Sequence, residues 1–205
     1  TTADATGAYW VAVKLDADGS VLWEWECHPP RRNGTTGNDD NRINAAAVGR
    51  DGSVVLAGFA DREFVVIKLD ADGGLLWNFQ DGSGDDKDCA NGVVMGDDGS
   101  VVVAGTVLGD WDIPNLGSTD MAAFKLDTNG TLLWRWQDGT DAHDYANAIA
   151  MAGDGSVVIA GYSHGDLMGR NSGDDDSSSL FPQWLGGDFS AIKLDSHGAE
   201  VWRWQ

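Results

Sequence analysis

The chain has 205 residues, of which 42% are apolar, and this is enough to build a substantial buried core. Its formal net charge is −20 at pH 7, so its surface repels phosphate backbones and nucleic acid is excluded as an expected partner. No apolar run approaches the length of about 18 residues that indicates a membrane span. The acidic surface suits a divalent cation, a basic partner or a salty medium, or it serves solubility alone.

The start of the chain and its two cysteines set further bounds. The sequence begins Thr1-Thr2-Ala3, with neither a Met nor a signal-like apolar stretch, which predicts a mature or excised piece of a protein. Cys27 and Cys89 are too few for a disulfide framework, and their predicted strands lie too far apart for a bridge. We expect both thiols to be structural.

The first predicted elements are two strands joined by a hairpin. Apolar residues run from Tyr9 to Leu15, a turn follows at Gly19, and Trp23 and Trp25 follow the turn. Val, Ile, Phe and Trp dominate and no helical period appears, which is typical of strands. Asp directly precedes Gly19, as in tight hairpins where Gly supplies a positive φ.

Three further sets of four predicted strands follow, each in the same order. The first strand has small residues, the second is apolar at consecutive positions, the third ends in Lys-Leu-Asp, and the fourth carries paired aromatics. The first three kinds are predicted at Asn44 to Val48, Asn91 to Met95 and Asn147 to Met151; Val54 to Gly58, Val101 to Gly105 and Val157 to Gly161; Phe64 to Leu69, Met121 to Leu126 and Phe189 to Leu194.

The third and fourth strands carry the clearest internal repeat. Lys-Leu-Asp, a Gly and an aromatic pair recur from Lys14 to Trp25, Lys68 to Phe79, Lys125 to Trp136 and Lys193 to Trp204. A unit of about 45 residues with insertions indicates a propeller or a solenoid. Because strand side chains alternate faces, each aromatic pair shares one face, and we expect these pairs to hold neighbouring sheets together.

The consecutive apolar residues of the second strand predict a sheet covered on both faces by other sheets. The motif that carries this pattern is Asp120-Met121-Ala122-Ala123-Phe124-Lys125-Leu126-Asp127, Gly130, Leu133-Trp134, Asp144, Ala146, and Gly155-Ser156 to Gly161. It resembles the bacterial-type β-propeller repeat family and, more distantly, quinoprotein-dehydrogenase-like repeats, whose Gly-then-Trp ending docks neighbouring blades. The resemblance implies an all-β propeller of four-stranded antiparallel blades.

The blade count predicts one β-propeller segment over residues 1–205, with three full blades and one half-blade. The half-blade spans 8–26, and the blades span 43–80, 90–137 and 146–205. We expect a segment of a larger propeller of about six to eight blades, with further blades on the same polypeptide. The alternative is a small four-bladed ring, imperfectly closed, whose half-blade lies beside the last blade.

All the variation in loop length is predicted on one rim of the propeller, where binding sites are usually built. The loops are residues 27–42, 81–89, 105–120, 138–145 and 161–188. Candidate ligand-binding residues at the channel mouth are Asn44, Asn91, Asn147, Asp88 and Asp144, which either form a polar ring or cap strands and brace loops. Trp111 and Trp184 either stack on a sugar or fold back over their own insertions.

Metal and catalytic signals are weak. Asp174, Asp175 and Asp176 form either a calcium site or a solvated acidic loop, and the full calcium-loop motif is absent. The four histidines lack zinc spacing, and no nucleophile elbow or phosphate loop appears. A quinoprotein-like activity implies adjacent cysteines, whereas Cys27 and Cys89 are far apart in the chain. Beyond this possible calcium, no cofactor is firmly implied.

The sequence therefore predicts a non-enzymatic binding or scaffold module, extracellular or at the cell surface, which presents an acidic loop rim to a protein or glycan. One alternative is a hydrolase or a cofactor-dependent oxidoreductase with its site at the channel mouth. The other alternative is a structural fragment without a site of its own. Buried, converging Asp and His would favour the enzyme, and scattered exposed carboxylates would favour the module.

Overall fold

The computed structural model describes residues 10–27, 41–84, 87–167 and 187–205. Every regular element in these ranges is a β-strand, so no helix within them reaches across a bilayer. The strands are β1 Trp10–Leu15, β2 Val21–Cys27, β3 Arg42–Val48, β4 Val54–Ala60, β5 Glu63–Leu69, β6 Leu75–Asp81, β7 Cys89–Met95, β8 Val101–Val107, β9 Asp120–Leu126, β10 Leu132–Asp138, β11 Asp144–Met151, β12 Val157–Ser163, β13 Asp188–Leu194 and β14 Glu200–Trp204.

The strands form one two-stranded sheet and three four-stranded sheets, all antiparallel. We name β1–β2 the half-blade, β3–β6 the first blade, β7–β10 the second blade and β11–β14 the third blade. Within each sheet the strands neighbour one another in chain order. The predicted all-β fold of three four-stranded propeller blades and one half-blade is confirmed, and the described sheets form an open arc.

Several strands begin earlier or end later than predicted, always toward the loops. β3 begins at Arg42 because Arg42 pairs with Phe59 of β4. β12 continues to Ser163, which pairs with Asp144 at the start of β11. These residues are polar or interrupt the apolar pattern, whereas the backbone ladder forms regardless of the side chain.

Three apolar cores lie between consecutive sheets. Trp10 and Ile67 meet between the half-blade and the first blade, and Met121 and Ile159 meet between the second and third blades. Within β8, Val103 belongs to the core toward the first blade and Val102 to the core toward the third. This two-sided burial explains why the second strand of a blade is apolar at consecutive positions.

One tryptophan from each of β2, β6 and β10 docks on a hairpin of the next sheet. The indole N–H of Trp23 donates to the carbonyl of Ala71 at 2.8 Å, and Trp77 and Trp134 donate in the same way. Their acceptors are the carbonyls of Thr128 and Ser196, at 2.9 and 3.2 Å. Each indole therefore satisfies its one polar group while its ring covers the neighbouring sheet.

The glycine of each receiving hairpin makes room for that ring. A Cβ on Gly73 would lie 2.9 Å from Trp23, and a Cβ on Gly130 would lie 2.8 Å from Trp77. Gly73 also has φ of +87°, a conformation that a side chain disfavours. Asp70 fixes this turn, because its Oδ1 accepts the N–H groups of Asp72 and Gly74 at 2.9 and 2.7 Å.

The lysines of the first three Lys-Leu-Asp motifs also reach the next sheet. Lys14 Nζ donates to the carbonyls of Gly52 and Ala71 at 2.8 and 3.0 Å, and Lys68 Nζ donates to Gly99 at 3.0 Å. The motif is therefore a docking element, in which Lys and Trp bind the turns of the following blade.

The last aromatic pair departs from the prediction. Trp202 and Trp204 are 43% and 60% exposed, whereas Trp134 and Trp136 pack against the core between the second and third blades. The expectation that all four pairs hold sheets together is wrong for this pair, because no described sheet lies against it.

Two matched substitutions test the contribution of docking to stability. We expect Gly73→Ala to lower the free energy of unfolding by about 2–4 kcal/mol, because it adds backbone strain and displaces Trp23. Gly19→Ala, in a hairpin of the same sequence whose glycine has φ of +84° and no atom within 4 Å, should cost about 1 kcal/mol from strain alone. Urea unfolding measures both, and equal losses would contradict the docking role.

Candidate functional site on the loop rim

The loop rim comprises the connections between blades and those between the second and third strands of a blade. Its described residues include 82–84, 108–119, 139–143 and 164–167. Neighbouring loops are bonded to one another, since the Ser118 N–H donates to Ala142 at 3.1 Å and the Asp144 N–H donates to Thr119 at 2.8 Å. The rim of the second and third blades is therefore one hydrogen-bonded surface.

Two predicted site residues, Asp88 and Asp144, are fully buried and hold the turns that follow the outer strands. Asp88 Oδ2 accepts the N–H of Ser83 at 2.6 Å, and its Oδ1 accepts the N–H of Leu108 at 2.9 Å. Asp144 Oδ2 accepts the N–H and the hydroxyl of Thr140. The same lock thus recurs in consecutive blades, and it matches the alternative in which these residues brace loops.

The three predicted asparagines lie at one register, where each first strand departs from regular pairing. The ladder shifts between Ile43 and Ala45, and it shifts at the same place around Asn91 and Asn147. Such a bulge re-aims a side chain. Asn44 Nδ2 consequently donates to the carbonyl of Ala90 in the next blade, at 2.9 Å.

Asn91 makes the corresponding bond to Ala146 at 2.9 Å, whereas Asn147 is exposed on the third blade. Two of the three asparagines therefore brace adjacent blades across the channel-side strands. Ligand binding by these residues stays a prediction, and any ligand would compete with these bonds at Asn44 and Asn91.

Trp111 packs against the core between the first and second blades. Its ring centroid is 5.2 Å from that of Phe64 and 5.7 Å from that of Phe124, and the Arg135 guanidinium lies 5.1 Å from its centroid. The faces of this indole are therefore already in contact with other side chains of the protein. Trp184, Asp174, Asp175 and Asp176 lie outside the described residues, so the predicted calcium loop has no structural account.

Gln137, which was not among the residues predicted from the sequence, organises the insertion that carries Trp111. This side chain is 4% exposed, and its Oε1 accepts the N–H of Asp112 at 2.9 Å. Its Nε2 donates to Asp120 Oδ2 at 2.7 Å and to the carbonyl of Gly109 at 3.2 Å. The recurrence of Gln after the aromatic pair, at Gln80, Gln137 and Gln205, was the available signal.

Asp120 and Asp144 form a buried acidic pair that the sequence did not suggest. Both are fully buried, and the Oδ1 atom of each has no hydrogen-bond partner in the described part of the chain. Burial raises the pKa of Asp120, and the charge of Asp144 raises it further. Within the described ranges, no cluster of three or more His, Cys, Asp or Glu could hold a metal ion.

The remaining acidic residues divide into paired and exposed groups. Arg135 pairs with Asp81, and Arg203 Nη2 lies 2.5 Å from Asp138 Oδ2, so each arginine ties an outer strand to the preceding blade. The exposed rim carboxylates are those of Asp110, Asp112, Asp141 and Asp188. The outward surface of the rim on the second and third blades is therefore acidic, whereas Arg62 and Lys87 are exposed on the rim beside the first blade.

The cysteines are thiols on different sheets, Cys27 at the end of β2 and Cys89 at the start of β7. Burial raises the pKa of each thiol, which reduces its reactivity at neutral pH. Cys27 and Cys89 are therefore not the adjacent cysteines that the quinoprotein-like resemblance implies.

Comparison with known proteins leaves the family open. No family model matches the chain, and no curated protein matches it. Among solved structures, a crystal structure described as that of the eukaryotic initiation factor has a TM-score of 0.47 at 8% identity, over 95% of this chain and 42% of that chain. The present chain thus spans about two fifths of that protein.

A protein of unknown function from Bacteroides caccae has a TM-score of 0.34 at 15% identity, over 95% of this chain and 92% of that chain. Both TM-scores lie below 0.5. The fold assignment therefore rests on the observed sheets, which are propeller-like blades.

Because the Asp88 carboxyl is buried, we expect the free energy of unfolding to increase toward mildly acidic pH. Burial raises its pKa from 3.8 to about 6, against the opposing hydrogen bonds from Leu108 and Ser83. The folded state then binds more protons than the unfolded state between these values, so the unfolding free energy rises as the pH falls from 7 to 4, by about 3 kcal/mol at most. Asp120 acts in the same direction.

Thermal melting between pH 7 and pH 4 measures this effect. We expect Asp88→Asn to lose most of the rise and Asp110→Asn, at an exposed position, to retain it. A wild-type melting temperature that falls steadily over this range would show that the buried carboxyls do not control the pH dependence.

Proposed function

We propose that the chain is a non-enzymatic binding or scaffold module of the bacterial-type β-propeller repeat family, extracellular or at the cell surface. Its acidic loop rim binds a partner that carries a basic protein surface. One observation carries the proposal: the buried polar groups of the rim hold the loops, while the exposed charged groups of loops 108–119 and 139–143 are carboxylates.

The fixed positions of these carboxylates support a role in binding. Gln137 holds the loop that bears Asp110 and Asp112, and Asp144 holds the turn that leads to Asp141. Loops that are already ordered lose little conformational entropy when a partner docks. A fixed acidic surface on a chain of net charge −20 also attracts a cationic partner from a distance.

A protein partner is better supported than a glycan. Sugar binding uses an open aromatic face, and the faces of Trp111 are in contact with Phe64, Phe124 and Arg135. Exposed carboxylates instead match lysine and arginine side chains.

The enzyme alternative has one observation in its favour, the buried pair of Asp120 and Asp144 with its two unpartnered Oδ1 atoms. Glycoside hydrolases use such pairs of carboxyl groups. Both carboxyls are fully buried, however, so a substrate reaches neither of them unless loops 108–119 and 139–143 open. The binding module therefore accounts for more of the rim.

A charge-matched pair of triple variants tests the proposed surface. Asp112→Asn, Asp141→Asn and Asp188→Asn change the rim, whereas Asp18→Asn, Glu24→Gln and Asp72→Asn change exposed acids elsewhere. Each triple variant changes the net charge from −20 to −17. The probe is a fluorescein-labelled peptide of alternating Lys and Gly, followed by fluorescence anisotropy at low salt.

We expect the rim variant to bind the peptide about fivefold more weakly and the control variant to bind it nearly as tightly as the wild type. Equal weakening in both variants would assign binding to net charge alone. Tight binding of a neutral labelled oligosaccharide by the wild type would favour a glycan instead.

Calcium is proposed as a ligand of the acidic segment Asp174, Asp175 and Asp176. Several carboxylates on one loop suit this ion, and binding to the folded state alone raises the melting temperature. We expect a rise of a few degrees at about 5 mM calcium, lost when all three residues are replaced by Asn. The absence of any shift in the wild type would remove calcium from the proposal.

A further inference from the structure

The contacts between sheets repeat, and each contact has a donating and a receiving side. The donating side carries a docked Trp, Lys and Asn, and the receiving side carries the glycine hairpin that accepts the Trp, together with the turn and first-strand carbonyls that accept the Lys and the Asn. Three copies of the Trp contact are filled, by Trp23, Trp77 and Trp134. Within the described part of the chain, the fourth copy of each side meets no other sheet, and the two lie at opposite ends of the arc.

The open donating side lies on the third blade, and we name it the docking face. It contains Trp202, Trp204 and Phe189, which is 79% exposed. Phe189 occupies the register of Met121 in the second blade, which is buried against the third blade. Asn147, the third of the bracing asparagines, is also exposed here.

The open receiving side lies on the half-blade, and we name it the receiving face. Val11, Val13 and Leu15 are exposed there, whereas the matching residues of the first blade, Val65, Ile67 and Leu69, are buried in a core. The hairpin from Lys14 to Gly19 has the same six residues as the hairpin from Lys68 to Gly73. The indole of Trp23 lies on Gly73, whereas a Cβ on Gly19 would have no atom within 4 Å.

We propose that the docking face of one copy of this chain binds the receiving face of a second copy. Trp202 then lies on Gly19 of the second copy, and its indole N–H donates to the carbonyl of Ala17, as Trp23 donates to Ala71. The filled contacts indicate this occupant, since the exposed Trp202 and the open hairpin at Gly19 have the chemistry of pairs already joined within the chain. The contact continues an interface that the fold forms three times.

The proposed contact joins two different faces, so each copy keeps one face open for another copy. Such a heterologous contact produces open chains, or rings where the rotation closes. The loop rims of successive copies then lie on the same side, as those of successive blades do, which repeats the acidic surface along the assembly.

The charge of the chain predicts how salt affects this association. Two copies of net charge −20 repel one another at long range, and Glu24 and Glu26, the strand partners of Val13 and Val11, add carboxylates beside the apolar residues of the receiving face. Salt screens the repulsion and leaves the burial of apolar surface in place. Association should therefore strengthen with sodium chloride, whereas binding of a basic peptide to the rim should weaken.

Complementation between two single-face variants tests the proposal on the full chain. Trp202→Ala removes the docking face, and Val13→Asp places a charge on the receiving face. Leu133→Ser is the matched control, because Leu133 is an exposed apolar residue outside both faces. Circular dichroism checks that each variant keeps its sheets, and sedimentation velocity at about 100 μM protein and 0.5 M sodium chloride measures association.

We expect the wild type and Leu133→Ser to form dimers and larger species. Trp202→Ala and Val13→Asp should each dissociate, with association at least about tenfold weaker, while an equimolar mixture of the two forms a dimer and nothing larger. A monomeric wild type would overturn the proposal. This holds whether the docking and receiving faces stay exposed or contact each other within one chain. Persistent association of Trp202→Ala, or a mixture that stays monomeric, would overturn it equally.

Discussion

One interaction recurs at every filled junction of this protein: an indole lies on a glycine hairpin of the next sheet and donates its N–H to a carbonyl there. Because only glycine leaves room for the ring and tolerates the positive φ, the hairpin and the tryptophan specify each other. Lys14 bonds to the same hairpin at Ala71, and Lys14 and Lys68 also bond to the turns between the first two strands of the next blade, at Gly52 and Gly99. These contacts set the position of each sheet on its neighbour, and the rim loops inherit their positions from the sheets.

Hydrogen bonds to the backbone also explain why polar residues are buried at the rim. Asp88, Asp144 and Gln137 are buried because they hold backbone N–H groups that would otherwise lack partners once the loops fold. Burying the carboxyls raises the pKa of Asp88 and Asp120, which is the electrostatic cost of fixing the loops without nearby cations. The exposed acidic surface is left to bind a partner. The docking face and the receiving face are left to contact another sheet.

Apolar periodicity was enough to predict the strands, their grouping into blades and the two-sided burial of Val102 and Val103. It did not predict that Trp202 is exposed, because burial depends on a neighbouring sheet and not on the residue. The site was harder to predict. Asn44 was placed at the right strand end, but its bond to Ala90 depends on a backbone bulge that leaves no apolar signature. Asp120 was hidden among many acids, and only its burial beside Asp144 distinguishes it.

The most direct measurement compares the unfolding free energies of two tryptophan variants that lose the same atoms. Trp77 is docked on Gly130, and Trp202 faces no described sheet. Studied at low concentration, Trp77→Ala should lose about 3 kcal/mol or more, and Trp202→Ala should lose less than about 1 kcal/mol. Similar losses from the two variants would contradict the view that docked indoles hold the blades together.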